Sequence, residues 1–407
     1  MTSPLHLFDA FGIELEYMLV RRDTLDVSPV VDEIFKAAGG AYISDHVNGP
    51  ITWSNELVRH VMEVKVSEPV ATFSGLTETF QNSIAEINRH ADLLNSQLMP
   101  TAVHPWMDPG RETELWPHEY AEVYQTFHTV FNCRRHGWAN LQSVHLNLPF
   151  HGDEEFARLH AAVRLVLPLL PALAASSPVV EGRITGMRDN RLDVYVNNSR
   201  LIPHITGEII PEQVYSRDEY YEIIFKPMFS AIAPYDPEGI LQDEFLNARG
   251  AIARFDRGAI EIRLLDVQEC PAADIAIAGA VIHAVKKQVE EKHAGWDIQS
   301  AWTASRLRGL LLDHIRDAEN TIVRDPEYLS MWGYAEKTCT AGDLWKHILR
   351  DHDAGQPELQ NALATILGRG TLSSRMLSRL PDNPTRPQLQ ALYRKLADCL
   401  ADGAMLI

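Results

Sequence analysis

Cysteine is scarce in this chain. Cys133, Cys270, Cys339 and Cys399 are the only four among 407 residues, and they are widely spaced with no CxxC pair. This spacing predicts neither a zinc site nor a disulfide framework, and it favours a reducing compartment. The N-terminus lacks the basic and apolar stretches of a signal peptide, and no apolar run approaches membrane-spanning length. We therefore expect a cytoplasmic protein with no membrane partner.

Positive charge is also in short supply. Lys and Arg total 37 against 55 Asp and Glu, which gives a formal net charge of -18. An excess of negative charge disfavours nucleic acid and anionic membrane surfaces as partners, because both repel it. The expected partners are small-molecule substrates, and the composition is compatible with a homodimer.

Several motifs of nucleotide binding and covalent catalysis are missing. The sequence has no GxxxxGK[ST] loop, no GxGxxG after a strand pattern and no GxSxG elbow. Nothing beside the cysteines marks an activated thiol. Nucleophilic catalysis by serine or cysteine is therefore disfavoured, and any ATP must be held by other chemistry.

The most informative segment that is present runs from Phe11 to Val20. Its alternation predicts a β-strand with Glu14 and Glu16 on one face and four apolar residues on the other, namely Ile13, Leu15, Tyr17 and Leu19. Two carboxylates about 7 Å apart along a strand repel each other, so the fold needs a cation or a proton nearby. A divalent metal ion is the first expectation.

Three further segments, 59–67, 143–149 and 259–265, repeat this alternation. Each has one apolar face and one face with two functional side chains, which are Glu63 with Lys65, His145 with Asn147, and Glu261 with Arg263. In a single strand such a face is more often an ordinary solvated one. Four such strands together favour a functional site on one sheet.

The shared polar face would combine carboxylates, one imidazole and two cationic side chains. Carboxylates with an imidazole suit Mg²⁺ or Mn²⁺, and Arg or Lys neutralises phosphate oxygens. This is the chemistry of a metal and nucleotide site without a thiolate.

Helical periodicity follows the strand patterns. Apolar residues at steps of three and four from Phe73 to Leu98 predict a long helix over the apolar side of the sheet. A second helix is predicted from Asp153, as N-cap, to Leu173, and Pro168 and Pro171 predict a kink or an early stop within it.

A long connection rich in Gly, Pro, Asn and Arg runs from Ser176 to about Pro211. Connections of this length in compact proteins are often functional. Arg183, Arg188 and Arg191 lie in it and are together candidates for binding an anionic substrate, although pairing with surface acids would explain each one equally well.

Helical patterns take over beyond Pro271, and they cover 272–292, 301–316, 341–351, 358–367 and 388–402. We interpret residues 1–407 as a single catalytic unit, with a sheet-forming core in 1–271 and a helical region in 272–407 packed on it. The expected class is α+β, with a largely antiparallel sheet and helices on one side of it.

A series of short motifs occurs in a characteristic order, and its members are Gly12-Ile-Glu-Leu-Glu16, Met62-Glu-Val-Lys-Val-Ser-Glu-Pro69, His104-Pro105, Val144-His-Leu-Asn147, Ala175-Ser-Ser-Pro178, Thr185-Gly186 and Ile260-Glu-Ile-Arg-Leu-Leu-Asp266. The series resembles that of glutamate–cysteine ligases and related carboxylate–amine ligases. The likeness spans roughly residues 8–275 and depends on the order of the motifs, since each motif alone is weak.

This resemblance implies a fold similar to glutamine synthetase, in which a curved antiparallel sheet forms an open funnel that holds ATP and Mg²⁺, or Mn²⁺ in its place. It also implies ATP-dependent amide formation. A substrate carboxylate attacks the γ-phosphate to give an acyl phosphate, and an amine then displaces phosphate. Glutamate and cysteine are the expected pair, which would make the product γ-glutamylcysteine and place the protein in glutathione biosynthesis.

The resemblance also implies residue roles. The implied metal ligands are Glu14, Glu16, Glu63, His145 and Glu261. Arg263 resembles the arginine that stabilises the transferring phosphoryl group, and it is assigned to catalysis together with Glu261. The residues assigned to ATP binding are Arg263, Lys65 and Asn147. Arg191, which follows the Thr-Gly pair, and Arg188 are assigned to substrate binding.

Two alternatives remain open at the level of sequence. One is a guanidino-type phosphotransferase with related sheet chemistry, which would release a phosphorylated product instead of an amide. The other is a sensor that binds nucleotide or amino acid without turnover.

Overall fold

A computed structural model describes residues 4–407 of the protein. Its strands are β1 (Gly12–Arg21), β2 (Asp45–Asn48), β3 (Ile51–Asn55), β4 (Val61–Val66), β5 (Ser96–Met99), β6 (Ser143–Pro149), β7 (Val179–Val180), β8 (Arg183–Ile184), β9 (Ala251–Arg254), β10 (Ala259–Asp266), β11 (Ile322–Val323) and β12 (Cys339–Thr340).

The helices up to the last strand of the large sheet are α1 (Val31–Gly39), α2 (Leu76–Asp92), α3 (Pro109–Glu112), α4 (Ala121–Phe131), α5 (His136–Ala139), α6 (Gly152–Val166), α7 (Pro171–Ala174), α8 (Asn190–Tyr195), α9 (Arg217–Tyr220) and α10 (Lys226–Ile232). Those after it are α11 (Pro271–Val289), α12 (Trp296–Ser300), α13 (Ala304–Asp317), α14 (Pro326–Ser330), α15 (Ala341–Ile348), α16 (Pro357–Arg369), α17 (Leu372–Leu377) and α18 (Arg386–Asp402).

One large antiparallel sheet organises the described residues. In this part of the chain the sheet has eight strands. Seven of them pair in the order β2-β3-β4-β1-β6-β10-β9, and the eighth, β5, pairs with the end of β1. The pairings within it are antiparallel, and its outer strands β2 and β9 do not pair with each other. The expected α+β class with an open, largely antiparallel sheet is confirmed.

The four strands recognised by alternation are consecutive neighbours in this sheet, as β4-β1-β6-β10. Ile13, Leu15, Tyr17 and Leu19 of β1 are fully buried and belong to one hydrophobic cluster with residues of α2, α6 and α11. The same cluster continues into α13, α15 and α16, so the sheet and the C-terminal helices share a core. The helices therefore cover the apolar face of the sheet and leave the polar face to the site.

The predicted long helix ends earlier than its apolar pattern does. Helix α2 stops at Asp92, and the chain turns at Asn95, whose φ is +52°. Leu98 instead lies in β5, opposite Leu19 of β1. The prediction of helix up to Leu98 was wrong because an apolar residue in a buried strand continued the helical spacing by coincidence.

The second predicted helix stops early, as its prolines indicated. Helix α6 ends at Val166, a 3₁₀ turn follows over Leu167–Leu169, and α7 begins at Pro171. The assignment of Asp153 as N-cap was wrong. His151 occupies that position, and Asp153 lies in the first turn, where its Oδ1 accepts a hydrogen bond from the backbone N–H of Arg217.

The four cysteines are free within the described residues. Burial raises the pKa of Cys133 to about 12, which fits an inert thiol. No helix in residues 4–407 is long and apolar enough to span a bilayer.

The buried His104 predicts a loss of stability in acid. Its Nε2–H donates to the carbonyl of Leu25 at 2.8 Å, and its Nδ1 accepts from the backbone N–H of Trp106 at 3.3 Å, so the native site holds the neutral ring. Burial lowers the pKa of His104 to about 3. Between pH 6.5 and that value the unfolded chain binds a proton that the native protein does not, so the free energy of unfolding falls as pH falls, by up to about 1.4 kcal/mol per pH unit.

Urea unfolding at pH 6.5, 5.5 and 4.5, with wild type and His104→Gln, measures this contribution (pH values chosen at and below the ordinary histidine pKa, about 6.5). The pH dependence of the free energy of unfolding should be shallower in the variant by about one proton. Equal slopes in the two proteins would contradict it.

Candidate active site

The strand register brings the predicted site residues together on the polar face. Glu14 of β1 lies opposite Lys65 of β4 and His145 of β6, and Glu16 lies opposite Glu63. Side chains directly opposite in an antiparallel sheet have Cβ atoms about 5 Å apart. Residues that are distant in sequence thus become immediate neighbours.

A cleft of about 560 Å³ opens above this face. It has an acidic end, a cationic end and an apolar wall. Its charged lining consists of Glu14, Glu16, Glu56, Glu63, Lys65, His145, Arg191, Arg254, Arg257, Glu261 and Arg263. All residues that the resemblance assigned to the site, except Asn147 and Arg188, are therefore among its lining residues.

Two groups of potential metal ligands lie side by side at the acidic end. One is Glu14, Glu63 and His145, and the other is Glu16, Glu56 and Glu63. Within each group the ligand atoms lie within 4.8 Å of one another. Ligands about 2.1 Å from a Mg²⁺ ion lie at most about 4.2 Å apart, so each group needs at most a small contraction to hold one ion. Glu63 belongs to both groups.

Glu56 is a site residue that the sequence patterns did not reveal. It directly follows β3, whose polar face has only the uncharged Thr52 and Ser54, so no second functional side chain marked this strand. The available signal was the period of two, which places Glu56 on the same face as Thr52 and Ser54. In the structure, Thr52 and Ser54 pair with Lys65 and Glu63 of β4.

Neighbouring side chains hold these carboxylates in place. Lys65 Nζ donates to Glu63 Oε1 at 2.7 Å, and Asn147 Nδ2 donates to Glu14 Oε1 at 2.9 Å. Asn147 therefore supports Glu14 from the same face, and it does not line the cleft. Glu14 Oε2 lies 3.1 Å from Nδ1 of His145.

The acidic end has too little positive charge for its carboxylates. Burial and the charge of Glu14 together raise the pKa of Glu63 to about 7, although Lys65 opposes the rise. Burial also raises the pKa of Glu16 and that of Glu56, the latter well above its ordinary value with added repulsion from Glu16 and Glu63. Buried carboxylates with raised pKa values in a ligand arrangement fit a divalent cation, which would favour their ionised forms.

At the cationic end of the cleft, the negative charge of Glu261 is balanced by neighbouring arginines. Burial alone would raise the pKa of Glu261, but Arg263, His145 and Arg254 lower it to about 2. Arg263 Nε donates to Glu261 Oε1 at 2.6 Å, and Arg254 Nη1 donates to Glu261 Oε2 at 3.4 Å. Arg254 is a second cation that sequence reasoning missed, because β9 is only four residues long.

A bulge in β10 lies opposite His145. Ile262 pairs with Leu146 and Leu265 with Val144, so two residues of β10 face one of β6. Such bulges occur beside active sites and redirect side chains. Gly250 leaves space for the bulge in β10, since a Cβ atom at position 250 would lie 2.5 Å from a methyl group of Leu264.

The predicted substrate-binding arginines are placed differently from one another. Arg191 is buried in α8 and lines the cleft, and its guanidinium donates to Asp266 Oδ1 at 3.2 Å and to the carbonyl of Arg263 at 2.5 Å. Arg188 precedes the helix and lies within 3.4 Å of the hydroxyl of Ser374, outside the lining of the cleft. Arg183 pairs with Glu181 at the surface.

An apolar wall closes one side of the cleft, and sequence reasoning did not identify it. Phe127 of α4 lies 5.5 Å from the ring of Trp138 and 6.2 Å from that of Phe245. Tyr124, three residues earlier on the same helix face, accepts a hydrogen bond from Asn55 at 2.9 Å and reaches the acidic end. The spacing of Val123, Tyr124 and Phe127 was the available signal. The wall offers a flat apolar surface beside the charged floor.

Comparisons with known proteins agree with this architecture. The family model described as Glutamate-cysteine ligase family 2 matches residues 10–395. An uncharacterized protein of Archaeoglobus fulgidus is 28% identical over 389 residues, which cover 96% of this chain and 98% of that protein. A protein of Rubrobacter xylanophilus that is provisionally named glutamate–cysteine ligase 2-3 is 23% identical over 72% of this chain and 74% of its own.

A solved structure shows the same fold. The glutamate–cysteine ligase of Francisella tularensis, solved in complex with AMP, superposes with a TM-score of 0.63 at 12% identity, covering 99% of this chain and 91% of that one.

Proposed function

This chain belongs to glutamate-cysteine ligase family 2 and is a carboxylate–amine ligase, and from that premise we propose that it uses ATP and Mg²⁺ to form an amide between glutamate and cysteine. In the proposed reaction the γ-carboxylate of glutamate attacks the γ-phosphate of ATP and releases ADP. The amine then attacks the resulting acyl phosphate, loses a proton and displaces phosphate. The proposed product is γ-glutamylcysteine, the proposed compartment is the cytoplasm, and the proposed working unit is the whole chain, sheet and helices together.

The observation that carries this proposal is the pair of ligand groups that share Glu63 at the foot of the cleft. Oxygen-rich groups with one imidazole suit Mg²⁺ or Mn²⁺. When bound there, the ions would offset the charge of the phosphate oxygens during phosphoryl transfer. The AMP bound by the Francisella enzyme supports nucleotide binding in a fold of this kind.

The cationic residues of the cleft take the remaining roles. Arg263 and Arg254 flank Glu261 and are positioned to neutralise the transferring phosphoryl group. Arg191 is held rigidly by Asp266 and is proposed to bind a substrate carboxylate or phosphate. The wall of Phe127, Trp138 and Phe245 excludes water from one side of the cleft, which protects an acyl phosphate from hydrolysis.

Product analysis tests the function directly. The purified protein is incubated with ATP, Mg²⁺, glutamate and cysteine, and then with each component omitted. We expect ADP and phosphate only when both amino acids are present, with γ-glutamylcysteine as the product identified by mass. Release of phosphate that needs neither amino acid, or a phosphorylated amino acid as the final product, would contradict a ligase of this specificity.

A variant of Glu56 tests the separation of the two ligand groups. Glu56→Gln removes one ligand from the Glu16, Glu56 and Glu63 group and leaves the Glu14, Glu63 and His145 group intact. Titration calorimetry with Mg²⁺ should therefore show one site weakened by about ten-fold or more and the other unchanged. Equal weakening of both sites, or of neither, would contradict two distinct groups.

A further inference from the structure

Ser143 is the first residue of β6 and shares its polar face with His145 and Asn147. Its backbone N–H donates to Glu16 Oε2 at 2.6 Å, and its hydroxyl lies 3.0 Å from the same oxygen. The hydroxyl also lies 3.0 Å from Nε2 of His145. One buried serine thus contacts a ligand from each of the two metal-binding groups.

The hydrogen-bonding capacity of a hydroxyl restricts how these contacts are made. A serine hydroxyl has one hydrogen to donate, and an ionised carboxylate only accepts. With a metal ion bound, Glu16 is ionised, because a nearby cation favours the charged form. The hydroxyl then donates to Glu16 and accepts a hydrogen bond from Nε2–H of His145.

A proton on Nε2 leaves the lone pair of the neutral ring on Nδ1. Nδ1 lies 3.1 Å from Glu14 Oε2 and 3.9 Å from Glu261 Oε1. A lone pair facing carboxylate oxygens is repulsive unless a cation lies between them. The Nδ1 side of the ring therefore faces the place where the first group would hold its ion.

We propose that Ser143 is a positioning residue that keeps the proton of His145 on Nε2 and so selects Nδ1 as the metal-binding atom. The same contacts occupy Oε2 of Glu16 with two hydrogen bonds and leave Oε1 for the second group. This inference rests on the proposed metal-dependent function. It concerns the tautomer of His145 and the orientation of Glu16, and so it is measurable without turnover.

The experiment uses the full chain with histidine labelled by ¹⁵N in the ring and saturated with Mg²⁺. Long-range proton–nitrogen spectra distinguish a protonated ring nitrogen from an unprotonated one, and the His145 signals among the 17 histidines are identified by their loss in His145→Gln. We expect Nε2 to be protonated in wild type. In Ser143→Ala this preference should be lost, and Mg²⁺ affinity should fall by about ten-fold.

Two further variants separate positioning from a general loss of packing. Ser143→Thr keeps the hydroxyl and the backbone N–H, so it should restore both the tautomer and the affinity. Ser96→Ala truncates another buried serine, which lies in β5 and contacts Ser28, and it should leave both unchanged. A protonated Nδ1 in wild type would overturn the proposal, as would a Ser143→Ala protein with wild-type tautomer and affinity. Wild type that binds no Mg²⁺ would overturn the metal premise as well, and this result is distinct from the other two.

Discussion

Glu63→Gln should abolish ligase activity while leaving the fold intact. Glu63 is the residue shared by both ligand groups, so the amide removes a charged ligand from each of them. Loss of a partner outside the metal shell typically costs 10- to 100-fold, so loss of a shared ligand should cost at least about 100-fold in kcat/KM. Calorimetry with Mg²⁺ should show both sites weakened, in contrast to Glu56→Gln.

Glu63→Gln should lower activity without lowering the stability of the metal-free protein. Because burial raises the pKa of Glu63 to about 7, its ionisation above that pH disfavours the metal-free native state. The neutral amide removes this penalty and still accepts from Lys65, so metal-free Glu63→Gln at pH 8 should have a thermal midpoint no lower than that of wild type (pH chosen to be above the raised pKa of about 7). Glu78→Gln, at an exposed position of α2, is the matched control and should leave activity and midpoint unchanged. Near wild-type turnover by Glu63→Gln would refute the site.

Arg263→Lys should reduce kcat far more than it changes the KM for ATP. Arg263 donates through Nε to Glu261 and is directed by the bulge of β10 toward the cleft. Lysine keeps the positive charge but loses the planar fork that contacts a carboxylate and phosphate oxygens together. Removal of one donor that stabilises charge in the transition state typically costs 10²- to 10³-fold in kcat, and we expect a loss of about that size.

Arg306→Lys is the control for this substitution. Arg306 also pairs with carboxylates, those of Asp325 and Glu327, but it lies at the surface on α13. Its replacement should leave kcat and KM unchanged. Steady-state kinetics at saturating amino acids decide the outcome, and a change confined to the KM for ATP would assign Arg263 to ground-state binding alone.

The sequence predicted the site residues of four strands because each strand has one buried face and one polar face. Alternation assigns a side chain to a face, and Glu14, His145, Glu63 and Glu261 lie where that rule placed them. The α+β class followed from the same pattern, combined with helical spacing in the C-terminal third. The motif series added the order of the elements and the family.

Features that depend on long-range packing escaped prediction. Glu56 lies one residue beyond β3, and the uncharged Thr52 and Ser54 on the polar face of that strand gave no sign of an acidic site. The bulge opposite His145 depends on space beside Gly250, which no local pattern reports. Arg188 and Arg191 are close in sequence, but Asp189 caps α8 between them and only Arg191 enters the helix that lines the cleft.

The position of Lys65 has a consequence for how the protein would take up a metal ion. Lys65 lies opposite Glu14 in the paired strands, and its ammonium group donates to the carboxylate of Glu63, which belongs to both ligand groups. Burial alone would lower the pKa of this lysine, but the surrounding acids together raise it above its ordinary value, so the lysine stays charged. A built-in counterion of this kind offsets part of the repulsion between the carboxylates in the metal-free protein. In the proposed metal-bound state, an ion that binds Glu63 would displace this ammonium, so loading would exchange one cation for another.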